Sequence, residues 1–378
     1  MLTTDSSKKA DSSPKARLDK RLWYEPGLPM ECLGCVACPE HQLCGGLRTR
    51  APLFDCLDLC RCDKPECCDN VCRNNPTYVD RVREVGGFSF DSLPTTLALN
   101  APDLPEIIPM LYHGSCRIRR IRLMAVALPL YEMFDRNTGS PRFESREHLN
   151  ESYHIEEGGT VILSGTDRDR PLEAWWQFGE KKRKNIIRHL REIGIALATV
   201  PNYSLFTDAP RWTDLHAMKR IALVHHEFLQ ERMPAALHVN GRTETDFSRW
   251  AKYLRDHQEI SVLSYEFTTG AGCIGRRQQH LSWLCDLAQE VARPLRLVLR
   301  GVGELPVQLQ NVFAGLAVID TTAFVKTMNR QRALLTDAQA INWRPEPTAV
   351  GAPLDDLFDH NLKVISERFT YRSHSAAA

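Results

Sequence analysis

Residues 196–240 decide the fold, and they read ALATVPNYSLFTDAPRWTDLHAMKRIALVHHEFLQERMPAALHVN. The two short apolar runs at its ends, residues 196–201 and 235–240, are typical of buried strands. Between them, residues 213–232 have the longer amphipathic pattern of a helix. A strand, a helix and a second strand in this order predict a βαβ unit and therefore a parallel sheet.

The same alternation extends from this unit in both directions. Eight apolar runs predict strands, at residues 107–111, 123–129, 161–164, 196–201, 235–240, 260–267, 295–300 and 316–321. A helical pattern follows each run from the third onward, and the span of about 215 residues fits one (β/α)8 TIM-like barrel. The link between the first two runs is too short for an ordinary crossover helix. An incomplete barrel or an open sheet is therefore the alternative α/β fold.

Composition divides the 378-residue chain into four parts. Residues 1–22 are rich in Lys, Ser and Asp and are predicted to be a disordered polar tail. Residues 23–75 are cysteine-rich, residues 105–340 carry the barrel pattern, and residues 341–378 form a C-terminal extension. With 43% hydrophobic residues the chain is expected to bury an ordinary core.

The cysteine-rich region predicts a metal site. Ten cysteines are the candidate ligands: Cys32, Cys35, Cys38, Cys44, Cys56, Cys60, Cys62, Cys67, Cys68 and Cys72. A reducing cytosol keeps such thiols available to bind metal. The first three, followed by Pro39, resemble the ferredoxin-type iron–sulfur pattern, although the fourth cysteine comes six positions later. One or two iron–sulfur clusters, a zinc site with His41 as a spare ligand, and no metal at all are the three readings.

Net charge and hydropathy exclude some classes of protein. Lys and Arg number 48 against 47 Asp and Glu, so no overall field draws the chain to nucleic acid or to anionic lipid. Any nucleic-acid contact would use local basic runs, such as residues 116–123 and 179–191. No apolar run approaches the roughly 18 residues of a membrane span, and the first residues lack a secretory signal. The expectation is a soluble, cytoplasmic protein with no membrane partner.

The stretches SGTDRDRPLEAWW (residues 164–176) and VPNYSLFTDAP (residues 200–210) resemble the DUF4417 family, a domain of unknown function found in bacteria and phages. The resemblance covers about residues 160–301. It rests on Asp167, Trp175 or Trp176, Pro201, Asn202, Ser204, Asp208, Pro210, Lys219 and Arg220. Asn202 stands where the family usually has Asp, and only Asp167 is left of its paired acids. The resemblance implies the barrel fold and, if those acids are catalytic in the family, an altered or lost activity.

Polar residues collect where the predicted strands end, and barrel enzymes place their catalytic groups at that end. The candidate catalytic residues are Asp167, Asn202, His238, Glu266 and Asp320. Glu266 and Asp320 are suited to act as a general base or to bind a divalent ion, unless they only balance the charge of Arg300. His238 is expected on the interior face, as an acid, a base, a ligand or a packing residue.

Two glycine-containing loops suggest a phosphate group. Gly270, Gly272 and Arg276 lie in TTGAGCIGRR (residues 268–277), which leads into a helix, and Arg300 precedes a Gly-rich turn. These residues predict an enzyme acting on a phosphate-containing substrate, a nucleotide or nucleic acid. The alternatives are a non-catalytic nucleic-acid-binding or accessory protein of a mobile element or phage-defence locus, with a zinc-bound head, and a catalytically silent scaffold. Whether the barrel is an enzyme is left open by the sequence.

Overall fold

The computed structural model describes residues 78–113, 116–206, 211–268, 270–272, 276–336 and 340–377. The predicted polar tail and all ten candidate metal-binding cysteines lie outside these residues. The iron–sulfur or zinc site therefore stays a prediction. Within the described part of the chain, no group of three or more His, Cys, Asp and Glu side chains is placed to hold a metal ion.

Eight parallel strands form a nearly closed barrel, which confirms the predicted fold. Their bounds are Ile107–Pro109 (β1), Ala125–Pro129 (β2), Thr160–Ser164 (β3), Leu197–Thr199 (β4), Ala235–His238 (β5), Val262–Glu266 (β6), Arg296–Arg300 (β7) and Gly315–Asp320 (β8). They neighbour one another in the order β1-β8-β7-β6-β5-β4-β3-β2. Each strand falls on a predicted apolar run, because short β-branched runs are stable only where both faces are buried.

The barrel closes between β1 and β2, at the pair of strands whose connection is too short for a crossover helix. One parallel bridge joins Met110 to Ala127 there, and the Leu111 amide donates to the Ala127 carbonyl at 3.0 Å. This contact replaces the longer ladders seen elsewhere around the sheet. A nearly closed barrel, rather than an open sheet, is the result.

Helices cover the outside of the barrel, as the amphipathic segments predict. In chain order they are Tyr78–Val85 (α1), Arg146–Tyr153 (α2), Asp169–Gln177 (α3), Gly179–Glu192 (α4), Arg211–Gln230 (α5), Glu244–Asp256 (α6), Arg277–Val291 (α7), Val307–Gln310 (α8), Thr322–Met328 (α9) and Asp355–Ala377 (α10). Short 3-10 turns lie at Leu130–Glu132 and Gly270–Gly272. Local chemistry sets their starts: α6 begins with a reciprocal cap between Thr243 and Asp246.

Two hydrophobic cores result from the alternation of side chains along the strands. The larger core lies between strands and helices and includes Leu237, Leu263 and Tyr265. The smaller core fills the barrel interior with Ile108, Met110, Ala125, Ala127, Ile162, Leu197, Ala236, Val262, Val298, Ala317 and Ile319. The barrel is therefore packed along its axis, and a site can form only at one of its ends.

The C-terminal extension belongs to the same body as the barrel. Strands Gln331–Leu335 (β9) and Ile341–Pro345 (β10) form an antiparallel hairpin, against which α10 packs. The Asp355 carboxylate at the start of α10 accepts from the amides of Ile118 and Arg119 at 3.2 and 3.1 Å. These bonds hold the link between β1 and β2 against the C-terminal helix.

The segment that follows the cysteine-rich region is anchored on the barrel wall. Helix α1 packs against α5, and the Glu84 carboxylate accepts from Trp176 Nε1 at 2.7 Å and contacts His216 Nε2 at 2.9 Å. Farther along, the Phe90 ring stacks on Trp250 with ring centroids 4.6 Å apart. Residues 78–93 thus fix where the preceding region joins the barrel. None of the helices in the described ranges is long and apolar enough to span a bilayer.

Candidate active site

Polar side chains occupy the interior face at the carboxyl end of the strands. Alternation from the interior residues places Ser164, His238, Ser264, Glu266 and Arg300 on the same face as the smaller core, one or two layers nearer the strand ends. The layers below them are apolar. The polar side chains of the interior face therefore lie at this end of the barrel, which we call the mouth.

Arg300 reaches across the mouth. Its Nη1 group donates to the Thr166 carbonyl at 2.6 Å and lies 3.4 Å from Ser164 Oγ. Strands β7 and β3 are four places apart among eight, so these partners lie on the opposite wall of the barrel. Within the described residues, the Nε and Nη2 groups of Arg300 make no hydrogen bond. One edge of the guanidinium is therefore left for another acceptor.

Glu266 lies beside Arg300 but is not paired with it. The two residues are register partners on β6 and β7. Yet no ion pair within 4.0 Å joins them, and the half-buried Glu266 carboxylate has no hydrogen-bond donor among the residues whose placement is known. Adjacent opposite charges on an interior face would ordinarily pair. Their separation leaves a carboxylate and a guanidinium edge side by side on the same interior face.

Tyr112, just after β1, indicates which charges converge on the mouth. Burial raises the pKa of its phenol, the positive charge of Arg300 opposes that rise, and Asp167, Glu132 and Glu266 add to it. These charges come from the ends of four strands and all act on one hydroxyl. We call these five residues the mouth cluster. The phenol stays protonated at neutral pH, so it can donate a hydrogen bond or a proton.

The two further acids of the mouth cluster have different surroundings. Glu132 is held in place, because its Oε2 accepts from the His113 amide at 3.1 Å and from the Tyr153 hydroxyl at 2.8 Å. Asp167 is exposed, and its Oδ1 accepts from the Arg168 amide at 2.7 Å. Water therefore screens the charge of Asp167, while two donors stabilise that of Glu132. Among the described residues, Glu266 is the acid of the cluster with no such partner.

His238 lies one layer below Glu266, since its register partner on β6 is Ser264. Its side chain is 2% exposed, and neither ring nitrogen has a hydrogen-bond partner in the described part of the chain. Burial, together with the positive charge of Arg300, lowers the pKa of the imidazole to about 3. His238 is therefore neutral at physiological pH, with one nitrogen able to donate and the other able to accept.

Two sequence candidates have structural roles instead. Asp320 caps helix α9: its Oδ1 accepts from the Thr322 amide at 3.0 Å and its Oδ2 from the Ala323 amide at 2.9 Å. Both oxygens of Asp320 are therefore used as a helix cap, and its expected catalytic role stays a prediction. Asn202 Oδ1 accepts from Asn240 Nδ2 at 2.7 Å, which ties the loops after β4 and β5 together. Asn202 supports the rim and is not joined to the mouth cluster.

The glycines of the predicted phosphate loops serve close packing. A Cβ on Gly272 would lie 1.7 Å from the Phe267 carbonyl oxygen, so the turn Gly270–Gly272 fits only without a side chain. Gly301, after Arg300, has φ of +77° and would likewise meet Thr268. Arg276 takes helical dihedrals directly before α7. The residues just before Arg276 lie outside the described part of the chain.

Two mouth residues escaped the sequence analysis. Tyr112 comes three positions after the last residue of β1, and Glu132 comes three positions after the last residue of β2. Both satisfy the rule that residues after barrel strands meet at one rim. Their position shortly after a strand is thus the sequence signal that predicts them.

The fold and the mouth cluster together define an α/β barrel protein with a polar site at the carboxyl end of its strands. No protein-family model matches the chain, and no curated protein matches it. The resemblance to DUF4417 accordingly stays a prediction.

Solved structures that are similar to the chain include the following two. One is a protein assigned as a lyase/mutase from Burkholderia cenocepacia J2315, with 15% identity, a TM-score of 0.32, and coverage of 66% of this chain and 88% of that one. The other is an oxaloacetate acetylhydrolase, with 13% identity, a TM-score of 0.33, and coverage of 75% and 93%.

The prediction of a phosphate-containing substrate is wrong. The helix start after β8, where barrel enzymes usually bind phosphate, is filled by the protein's own Asp320 carboxylate.

The structure does not support the alternative of a nucleic-acid-binding accessory protein, because one cation of each basic run forms ion pairs within the protein. In residues 116–123, Arg119 pairs with Asp356 at 3.1 Å and with Asp359. In residues 179–191, the buried Arg183 forms a two-pronged pair with Glu227, at 2.7 and 2.5 Å. Ion pairs of this kind reduce the positive charge that either run presents to phosphates.

Proposed function

We propose that the barrel is an enzyme that performs acid–base chemistry on a small organic carboxylate at its mouth. Glu266 is the general base, Tyr112 is the proton donor, and Arg300 anchors the carboxylate of the substrate. The observation that carries this proposal is the unpaired placement of Glu266 beside Arg300 on neighbouring strands.

The anchor role follows from the geometry of Arg300. Its Nη1 group is fixed to the Thr166 carbonyl, so the guanidinium plane is oriented before any ligand arrives. The remaining edge presents parallel N–H groups, which match the two oxygens of a carboxylate. A pre-oriented fork loses little side-chain entropy on binding. Arg300 is therefore suited to a planar carboxylate.

The base role follows from the freedom of Glu266. A general base needs lone pairs that point at the substrate proton, and a carboxylate already bonded to donors would be a weaker base. Glu266 lies beside the anchor, so a substrate held by Arg300 has its neighbouring atoms near the carboxylate. Tyr112 can return a proton from its phenol, whose pKa is raised by burial.

Proton exchange with solvent tests the proposal without knowledge of the full reaction. Pyruvate, propionate, succinate and malate are incubated with the protein in D2O, and loss of carbon-bound protons is followed by NMR. We expect the protein to catalyse exchange in at least one of them, and Glu266→Gln to slow it at least about 100-fold, the usual contribution of a general base.

The matched control is Glu157→Gln, an exposed Glu in the turn before β3, at the opposite end of the barrel. It should exchange protons at the wild-type rate. Exchange that is unchanged in Glu266→Gln, or absent for every acid with the wild-type protein, contradicts the proposal.

A further inference from the structure

His238 is a buried polar residue that the described part of the protein leaves unpaired. Ala236 packs in the barrel interior and Leu237 in the outer core, so alternation along β5 places His238 on the interior face. Its ring lies 6.0 Å from that of Tyr265, but neither nitrogen reaches a hydrogen-bond partner in the residues described. Buried imidazoles nearly always have at least one such partner.

Other buried histidines of the barrel do have partners. His280 Nδ1 is hydrogen-bonded to the Tyr265 hydroxyl at 2.5 Å, and His225 Nε2 lies 3.3 Å from the Ala235 carbonyl oxygen. Both histidines lie on helices that cover the barrel, outside its interior. Among the described residues, His238 is the one histidine with both ring nitrogens buried and without a hydrogen-bond partner, and it lies below the mouth, where a bound molecule would be its natural neighbour.

We propose that His238 donates a hydrogen bond to a carbonyl oxygen of the substrate, and so selects carboxylic acids that also carry a carbonyl group. The inference rests on the proposed function, because it assumes a carboxylate held by Arg300. His238 lies one residue layer deeper than Glu266 and Arg300. A small acid anchored at the rim would therefore direct a second oxygen toward it.

The chemistry fits a neutral imidazole. Glu266 takes a proton from the carbon next to the carbonyl, the electron pair of the C–H bond moves into the new C–C double bond, and the carbonyl becomes an enolate oxygen. The N–H of His238 bonds more strongly to that developing negative charge, and the positive charge of Arg300 supports it. Return of the proton reverses every step, so no oxidant or further reactant is needed.

A pair of probes that differ only by the carbonyl tests this assignment. Pyruvate and propionate have the same carbon skeleton, so NMR titration of each measures what the carbonyl adds. We expect the wild-type protein to bind pyruvate roughly tenfold more tightly, the effect of about one hydrogen bond. His238→Leu should bind both acids equally, and the control His225→Leu should keep the preference.

A second measurement avoids any doubt about folding of the variants. In wild-type protein with 15N-labelled histidine, the ring nitrogen signals of His238 should shift with pyruvate and stay in place with propionate. Equal binding of the two acids by wild-type protein, or a preference that survives in His238→Leu, overturns the inference alone. If neither acid binds the wild-type protein, the proposed function falls and the inference falls with it.

Discussion

Replacing His238 with leucine should stabilise the protein. The imidazole is 2% exposed, and both of its nitrogens lack a partner among the described residues. Each unsatisfied buried polar atom costs about 1–3 kcal/mol, whereas a leucine of similar size buries only apolar atoms. Allowing for imperfect fit of the new side chain, we expect a gain of about 2 kcal/mol at pH 8.

The gain should grow in acid. In the folded protein the pKa of His238 is lowered from 6.5 to about 3. Between pH 3 and pH 6.5 the imidazole is therefore protonated in the unfolded chain and neutral in the folded chain. Wild-type stability from this residue is thus complete above pH 6.5 and falls as the pH drops toward 3. At pH 5 the loss is about 2 kcal/mol, so the advantage of the variant should reach about 4 kcal/mol.

Urea denaturation at pH 8 and pH 5 provides both values. His280→Leu is the control, since it removes an imidazole that is bonded to Tyr265 at 2.5 Å and leaves the buried phenol unpaired. That variant should lose about 1–3 kcal/mol at pH 8. If His238→Leu is as destabilised as the control, or if its gain in stability is the same at both pH values, His238 has a hydrogen-bond partner in the native protein. Either result would contradict the prediction.

Three further predictions concern the Asp320 cap, the buried ion pair of Arg183 and the cysteine-rich region. Asp320→Ala should cost about 1 kcal/mol through loss of the α9 cap, measured by urea denaturation, while leaving pyruvate binding unchanged; a loss of binding would restore a role at the mouth. Glu227→Leu should lower the free energy of unfolding by about 3–5 kcal/mol, because it leaves the buried Arg183 without its charged partner. Asp359→Ala breaks an exposed pair and should lower it by less than about 1 kcal/mol. Equal losses in the two variants would contradict the burial argument. Protein purified without air should contain iron with acid-labile sulfide, or stoichiometric zinc, bound by residues 32–72, and metal-free protein would contradict that prediction.

The sequence predicted the barrel well because its strands carry their own signal. Each of the eight apolar runs is short, β-branched and followed by polar residues, and a parallel sheet buried on both faces accepts little else. The strand ends were less certain. The predicted strand at residues 260–267 is shorter in the structure, where it spans Val262–Glu266. A strand ends where its hydrogen-bonded neighbours end, and the sequence alone does not show which residues those neighbours are.

The charged residues were harder to interpret from sequence. Arg183 reads as part of a solvated helix face, yet its partner Glu227 lies 44 residues away on another helix. Arg119 pairs with Asp359, 240 residues distant. Helical spacing reveals partners three or four residues apart, so tertiary neutralisation of the basic runs was invisible. The cap made by Asp320 was within reach, because Asp directly before Thr321 and Thr322 is an N-terminal helix signal.

The most direct test of the central claim is titration of acetate into the wild-type protein, Arg300→Met and Glu266→Gln. If the two side chains flank a carboxylate site, Arg300→Met should weaken acetate binding by tenfold or more, since a charged hydrogen bond contributes about 1.5–3 kcal/mol. Glu266→Gln should bind acetate more tightly than wild type, because it removes a neighbouring negative charge. If instead both variants bind acetate as the wild-type protein does and merely unfold more easily, Glu266 and Arg300 only balance each other, and the mouth is not the active site.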